Sequence, residues 1–288
     1  MHSENKHFKR GFIMKLYSDV LKTITASILL ASSLAMPSYA DSTYAPISLG
    51  TQPGFDIGGQ LSGYHYGEDV QHSFFAEEYG PQFGITGSGT LALRYGFFTS
   101  ADVRLAYGNN QYNGSGSKGD NPDYTGEVRI LGGKDFVTNA LGVSAYAGLG
   151  YRNLYNDLRG STDIGAQGYR RDSQYLYVPI CITPRFRVTD TSRISTNIEY
   201  DYLVKGWQTT DLGDAIPGAS DVTNTQNSGY GLRGSIMYEF NTWSFGPYTE
   251  YWNINESDIK VGGPGCTFGC AEPHNQTIEV GLQAKYHF

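Results

Sequence analysis

Two cysteines four positions apart, Cys266-Thr-Phe-Gly-Cys270, are the sharpest local chemical signal in the chain. A short spacer containing glycine lets the two Cα atoms approach bonding range, so in an oxidising compartment this pair is expected to close a local disulfide. Two thiolates without two further convergent ligands make a poor zinc site. The third cysteine, Cys181, stands alone and reads as a buried thiol rather than a nucleophile. Among the histidines, His65, His72 and His274 fall near Glu68, Asp69 and Glu272, a set that could bind a metal or titrate near neutral pH. Solvated loop side chains are the simpler reading of that set. Arg170 and Arg171, after Tyr169, and Trp207 could meet a ligand at a surface, although Trp207 fits an interfacial anchor better. The sequence has no Gly-x-Ser-x-Gly, no His-Glu-x-x-His and no phosphate-binding loop, so no catalytic, metal-binding or cofactor-binding residues are assigned.

These residues sit on or between segments with one recurring pattern. Apolar and polar side chains alternate over about 54–67, 82–97, 100–112, 124–136, 142–156, 174–188, 193–207, 229–240, 243–255 and 278–288. A period of two puts successive side chains on opposite faces, which is a strand. The links between them are of two kinds. Phe98-Thr99, Val137 to Leu141, Thr189 to Ser192 and Asn241-Thr242 are brief. Glu68 to Gly80, Asn113 to Asp123, Asp157 to Ser173, Gln208 to Ser228 and Glu256 to Gln276 are long and polar. Strict alternation of short turns and long loops predicts an all-β fold: a transmembrane antiparallel up-and-down β-barrel of about ten strands, with long extracellular loops and short periplasmic turns. Eight or twelve strands would follow if a hairpin were misjudged. A periplasmic β-sandwich would not need its long loops confined to alternate connections.

Composition agrees with this reading. The 288 residues include 37 Gly and 23 Tyr, and the mean hydropathy of −0.38 leaves no room for a bundle of apolar helices. Lys15 and Lys22 precede the apolar run from Ile24 to Ala35, and Ser38-Tyr-Ala40 offers small residues at a cleavage site, so residues 1–40 read as an N-terminal extension with a cleaved signal peptide. Either Met1 or Met14 could be the start. A polar periplasmic lead follows over 41–53, and the barrel occupies 54–288. The net charge of −7 becomes about −10 once the basic leader is removed, which argues against nucleic acid as a partner. The expected location is the outer membrane of a Gram-negative cell. The implied partners are outer-membrane lipid and lipopolysaccharide, whose phosphates Arg170 and Arg171 could pair.

If the apolar faces meet lipid, the intervening residues line the lumen. Arg94, Arg104, Arg129, Arg152, Arg185, Arg187, Lys205, Arg233 and Lys285 then face Asp56, Asp102, Glu127, Asp135, Glu199, Asp201, Glu239, Glu250 and Glu279. A barrel this narrow is nearly filled by its own side chains, so these charges are expected to pair and rigidify it, with a narrow porin-like channel as the alternative.

The last strand ends in Lys285-Tyr-His-Phe288, which resembles the terminal signal of bacterial outer-membrane barrels. By that resemblance Tyr286 and Phe288 are what the barrel-assembly machinery reads. With ten strands and five long loops, the chain resembles the omptin superfamily, which includes surface proteases and Opc-type adhesins. Gly168-Tyr-Arg-Arg leading into Tyr175-Leu-Tyr-Val-Pro-Ile180, and Lys205-Gly-Trp-Gln-Thr-Thr-Asp211, are similar to the way omptin strands enter and leave the membrane. Omptins pair an Asp-x-Asp with an Asp-x-His, the His and Asp activating water. Here Asp211-Leu-Gly-Asp214 follows Trp207 with no histidine in that loop, and Asp120-Asn-Pro-Asp123 has the wrong spacing. The expected function is therefore non-catalytic: surface loops serving adhesion, ligand binding or envelope integrity. An omptin-like protease is the least favoured alternative.

Overall fold

The computed structural model describes residues 46–288 except His72, and the signal-peptide reading of 1–40 lies outside the described residues. Eleven strands form one sheet: β1 Gly54–Val70, β2 Ser73–Ala92, β3 Phe97–Gly114, β4 Gly116–Val137, β5 Leu141–Ser161, β6 Gln167–Thr189, β7 Ser192–Thr210, β8 Val222–Gln226, β9 Gly229–Phe240, β10 Trp243–Ile254 and β11 His274–His287. Every ladder is antiparallel, and β1 pairs with β11 through a register that sets Ile57 opposite Tyr286 and Leu61 opposite Leu282. Pairing of β6 with β7 closes the ring. The short β8 continues the position of β9, since β7 pairs with β8 at its outer end and with β9 below. The wall is therefore a closed ten-stranded barrel.

The barrel is inside out relative to a soluble protein. Phe55, Ile57, Leu61, Phe83, Ile85, Leu105, Val128, Ile130, Ile180, Ile198 and Ile236 are all exposed on its outer surface. Only a hydrocarbon surround makes such a face stable, and closure leaves no unpaired edge within it. Stacked or tilted rings mark the two interfaces. Tyr107, Tyr124 and Tyr155 form one row, with centroids 5.1 and 6.1 Å apart. At the opposite end Tyr286 packs edge-on against Trp243 and Phe288, at 5.0 and 4.8 Å.

Three segments read as loops are largely strand. Glu68 to Gly80 shrinks to the connection at 71–72, Asn113 to Asp123 to Ser115 alone, and Asp157 to Ser173 to residues 162–166. The walls rise past the membrane, where polar side chains on both faces erase the alternation that betrays a strand. The fourth and fifth connections remain long, at 211–221 and 255–273.

Three lumen assignments also change. Arg94 sits in the periplasmic turn between β2 and β3 rather than on a strand. Arg187 is exposed at the periplasmic rim. Lys205 faces outward, because a β-bulge between Leu176 and Tyr177 pairs them with Lys205 and Leu203 and shifts the phase of β7. Leu203, before the bulge, keeps the inward phase of Asp201 and is buried in the lumen. Of the polar lead, residues 47–52 enter the lower mouth, where Ile47 and Leu49 are buried.

Candidate functional site: the lumen and the extracellular mouth

Strand alternation projects long charged side chains into a narrow lumen, and they meet across it. Arg233 on β9 is the hub. Its guanidinium lies 2.5 Å from Glu127, 2.6 Å from Asp201, 3.2 Å from Glu250 and 3.3 Å from Glu199. Arg129 bridges Asp102 and Glu199, each at 2.7 Å. Arg104 donates to Glu279 at 2.5 Å and to Gln60 at 2.7 Å. These pairs join β1, β3, β4, β7, β9, β10 and β11, so the network staples the wall from within.

An aromatic layer lies against this network on its outer side. Leu154, Tyr175, Tyr177, Leu203, Trp252 and Ile254 form a buried cluster. Tyr177 meets Trp252 edge-on at 5.1 Å and donates its hydroxyl to Glu127 at 2.6 Å. Gly150 makes room for it, since an added Cβ there would stand 2.2 Å from the Tyr177 ring. The guanidinium of Arg152 lies 5.2 Å from the Trp252 ring. Charge lattice and aromatic layer together fill the middle of the lumen.

The outer mouth holds a second cluster. β1 and β2 continue beyond Leu61 and Phe83, their last strongly lipid-facing apolar pair, and place Tyr66, Glu68 and Glu78 above the membrane. Arg171 pairs there with both Glu68 and Glu272, and donates to the Tyr66 hydroxyl at 2.9 Å. Burial pushes Glu272 up to about 7 despite the Arg171 guanidinium beside it. Burial, reinforced by the Asp123 carboxylate, pushes Glu78 up to about 8. Asn156 donates to both Asp123, at 2.5 Å, and Glu78, at 3.4 Å.

Arg171 is therefore not the surface contact expected of it, being 6 % exposed and held inside the mouth. Arg170, one residue along, points the other way and is gripped by Asp214 at 2.7 Å and Asp211 at 3.1 Å. That grip holds the Asp214 carboxyl below the usual carboxylate range. Trp207 faces outward beneath Lys205, whose Nζ is 5.6 Å from the ring. The histidines do not converge: His65 contacts Glu77 at 3.2 Å and His274 contacts Asp69 at 2.6 Å, while His72 lies outside the described residues. No group of three or more His, Cys, Asp or Glu side chains among the described residues is arranged to hold a metal ion. Arg171, Arg193, Glu68, Glu78, Asp123 and Glu272 were missed as lumen residues. Continuing the inward phase past the membrane would have found all but Arg193 and the loop residue Glu272.

Cys266 and Cys270 form a disulfide with Cα atoms 5.1 Å apart. It closes a finger in the fifth loop in which Lys260 pairs with Cys270 as an isolated β-bridge. Phe268 at its tip is wholly exposed, and Ile259 and Val261 are about as open as Phe288. Cys181 is a free, buried thiol facing the lumen.

No family model and no curated protein matches the sequence. Comparison with solved structures finds outer-membrane proteins to which the chain is similar. The outer membrane protease OmpT of Escherichia coli is similar over 82 % of this chain and 97 % of its own, at 11 % identity and a TM-score of 0.56. The translocator domain of the autotransporter NalP from Neisseria meningitidis is 9 % identical, covering 94 % of this chain and 98 % of that one, with a TM-score of 0.39. The attachment invasion locus protein Ail of Yersinia pestis is 10 % identical over 82 % of this chain and 100 % of its own, with a TM-score of 0.30. The chain thus has the fold of an outer-membrane β-barrel, which places it in that membrane.

Proposed function

We propose that this barrel neither conducts nor catalyses, and that its work is done by the surface it presents outside the cell, in adhesion, ligand binding or envelope integrity. The observation that supports this reading is the filled lumen, in which the Arg233 hub bridges carboxylates across the barrel beneath a layer built on Trp252 and Tyr177. An ion crossing it would have to break several buried pairs at once, each costing a few kcal/mol. The disulfide-closed finger, with Phe268 at its tip, offers a rigid apolar contact of the kind that anchors interfaces. Asp211 and Asp214 are engaged by Arg170, which argues against their activating water.

Planar-bilayer recording tests the first claim: steps of conductance that disappear on denaturation would refute it. Incubation of cells bearing the protein with a basic peptide library tests the second, and cleavage lost in Asp211→Ala would overturn the non-enzyme reading. Binding of the purified barrel to an extracellular-matrix and glycan array identifies the partner. Loss of that binding in Phe268→Ser, with Arg170→Ala unchanged, would assign it to the finger. Outer-membrane lipid and the assembly machinery are the partners proposed for the wall. Deletion of Phe288 is expected to lower surface levels, and unchanged levels would remove Tyr286 and Phe288 as the assembly signal.

A further inference from the structure

The lumen is filled unequally. Against its aromatic outer half stands a periplasmic half containing a cavity of about 320 Å³. The space follows from the sequence: the lining there includes Thr86, Ser88 and Thr90 on β2, Ser100 on β3, Ser235 on β9 and Ser244 on β10. One long side chain at several of these positions would close it. A lumen built for rigidity alone is filled by its side chains, as the other half is, whereas this volume is that of a small-ligand pocket.

The charges around the cavity are mostly spent on one another, through Arg129 with Asp102, Arg233 with Glu127, and Arg193 with Glu239. At its inner end one ion pair of the lattice is looser. Nη1 of Arg104 and Oε2 of Glu250 stand 3.8 Å apart, in side chains 7 % and 9 % exposed. Neither atom has a hydrogen-bond partner among the described residues. The hydroxyls of the lining Thr86, Ser88, Thr90, Ser100, Ser235 and Ser244 both give and accept, the complement of hydroxyls on a solute.

The lower mouth is covered by the chain itself. Ile47 N–H donates to the Asp190 carbonyl at 2.7 Å, and among the described residues this is the only backbone–backbone bond that 46–52 make. The rest are side-chain contacts. Arg187 donates to the Ile47 carbonyl at 3.3 Å, Arg193 to the carbonyls of Ser48 and of Gly50, the latter at 2.9 Å, and Thr51 N–H to Asp135 at 2.8 Å. Leu49, 2 % exposed, is the apolar anchor. Water can replace each polar contact without disturbing a ladder.

We propose that the periplasmic half of the barrel is a binding chamber for a small, uncharged, polyhydroxylated solute, sealed by the chain's own residues 46–52. The solute enters from the periplasm when the seal withdraws, and it does not cross, because the charge lattice closes the far end.

The test places a thiol inside, as Ser100→Cys, in the full-length protein in micelles, and follows its modification by a small methanethiosulfonate reagent with peptide mapping to separate it from Cys181. Slow labelling is expected, rising at least tenfold with Leu49→Asp, which expels the anchor without touching the wall. Ile47→Asp is a second release variant should the first fail to fold, with heat-modifiable electrophoretic mobility reporting folding. Labelling equally fast without release would overturn the seal, and no labelling in a folded release variant would overturn the chamber. Glycerol, D-ribose and D-glucose are then added to the release variant. Slowing of labelling at least threefold by one or more of them, but not by acetate or methylammonium, is expected; no protection, or equal protection by the ions, would overturn the ligand class.

Discussion

At the scale of single residues, buried charge sets both the strength and the pH response of this barrel. Glu78 keeps its proton up to about 8 in the folded mouth, against the usual 4.5. Between those values the folded chain binds a proton that the unfolded chain has released. The contribution to stability is therefore present below about 4.5, falls as pH rises, and is fully lost above about 8. Glu272 acts in the same direction with an upper limit near 7. Denaturation in micelles is expected to show a more stable outer mouth at pH 5 than at pH 8.5, with the slope reduced in Glu78→Gln; an unchanged slope in that variant would sink the assignment. Arg233→Ala leaves the carboxylates of Glu127, Asp201 and Glu250 facing one another, and loss of one partner from a buried set costs about 3–5 kcal/mol. The corresponding fall in the urea midpoint should far exceed that of Arg159→Ala, whose exposed pair with Asp157 contributes little. Glu78 and Glu272 lie beyond the stretch in which alternation runs, whereas Arg233, Glu127, Asp201 and Glu250 were legible from it as lumen charges. Their partners were not, because which acid an arginine reaches depends on strand stagger, a property of closure rather than of local pattern.

Individual strands divide into what periodicity can and cannot reveal. β9 is delimited by its alternation alone, at Gly229–Phe240, because lipid on one side and lumen on the other demand opposite chemistry at each step. The same demand ends at the membrane surface. Above it Ser73 to Gly80 and Gly116 to Asp123 are still strand, yet both faces see polar surroundings and the signal disappears. A bulge is invisible for another reason: one extra residue in β7 turns Lys205 outward, while Leu203 keeps the inward phase of Glu199 and Asp201, without altering composition. The fifth loop depends on a covalent link where the ladder stops. Cys270→Ser releases a closure worth ~2 kcal/mol by chain entropy. Limited proteolysis should cut that variant within 259–270 faster than the parent, while the barrel keeps its heat-modifiable mobility; equal rates would mean the Lys260–Cys270 bridge holds the finger without the disulfide.

Considered whole, the barrel has a hollow periplasmic half, a dense middle and a tall outer rim. That division makes its two proposed activities independent: solutes met from the periplasm end at the lattice, and contacts made outside begin above Trp252. Asp56→Ala, in the hollow half, is expected to leave extracellular binding unchanged, and Phe268→Ser to leave thiol protection in the chamber unchanged. Coupling in either direction, measured as a change in the other readout, would require the dense middle to transmit a shift that its pairing geometry resists.

The tall rim carries one further consequence. Because β1 to β6 remain hydrogen-bonded to each other up to tips as short as Ser115 and the pair at 71–72, their outer ends offer a protease almost no slack chain to draw into its cleft. Shaving of intact cells should therefore nick the polypeptide at 211–221 and 255–273 and spare the first three hairpins. A bacterium displaying this barrel among hostile enzymes would lose its exchangeable sequences first and keep a picket of uncut ladder standing around the mouth.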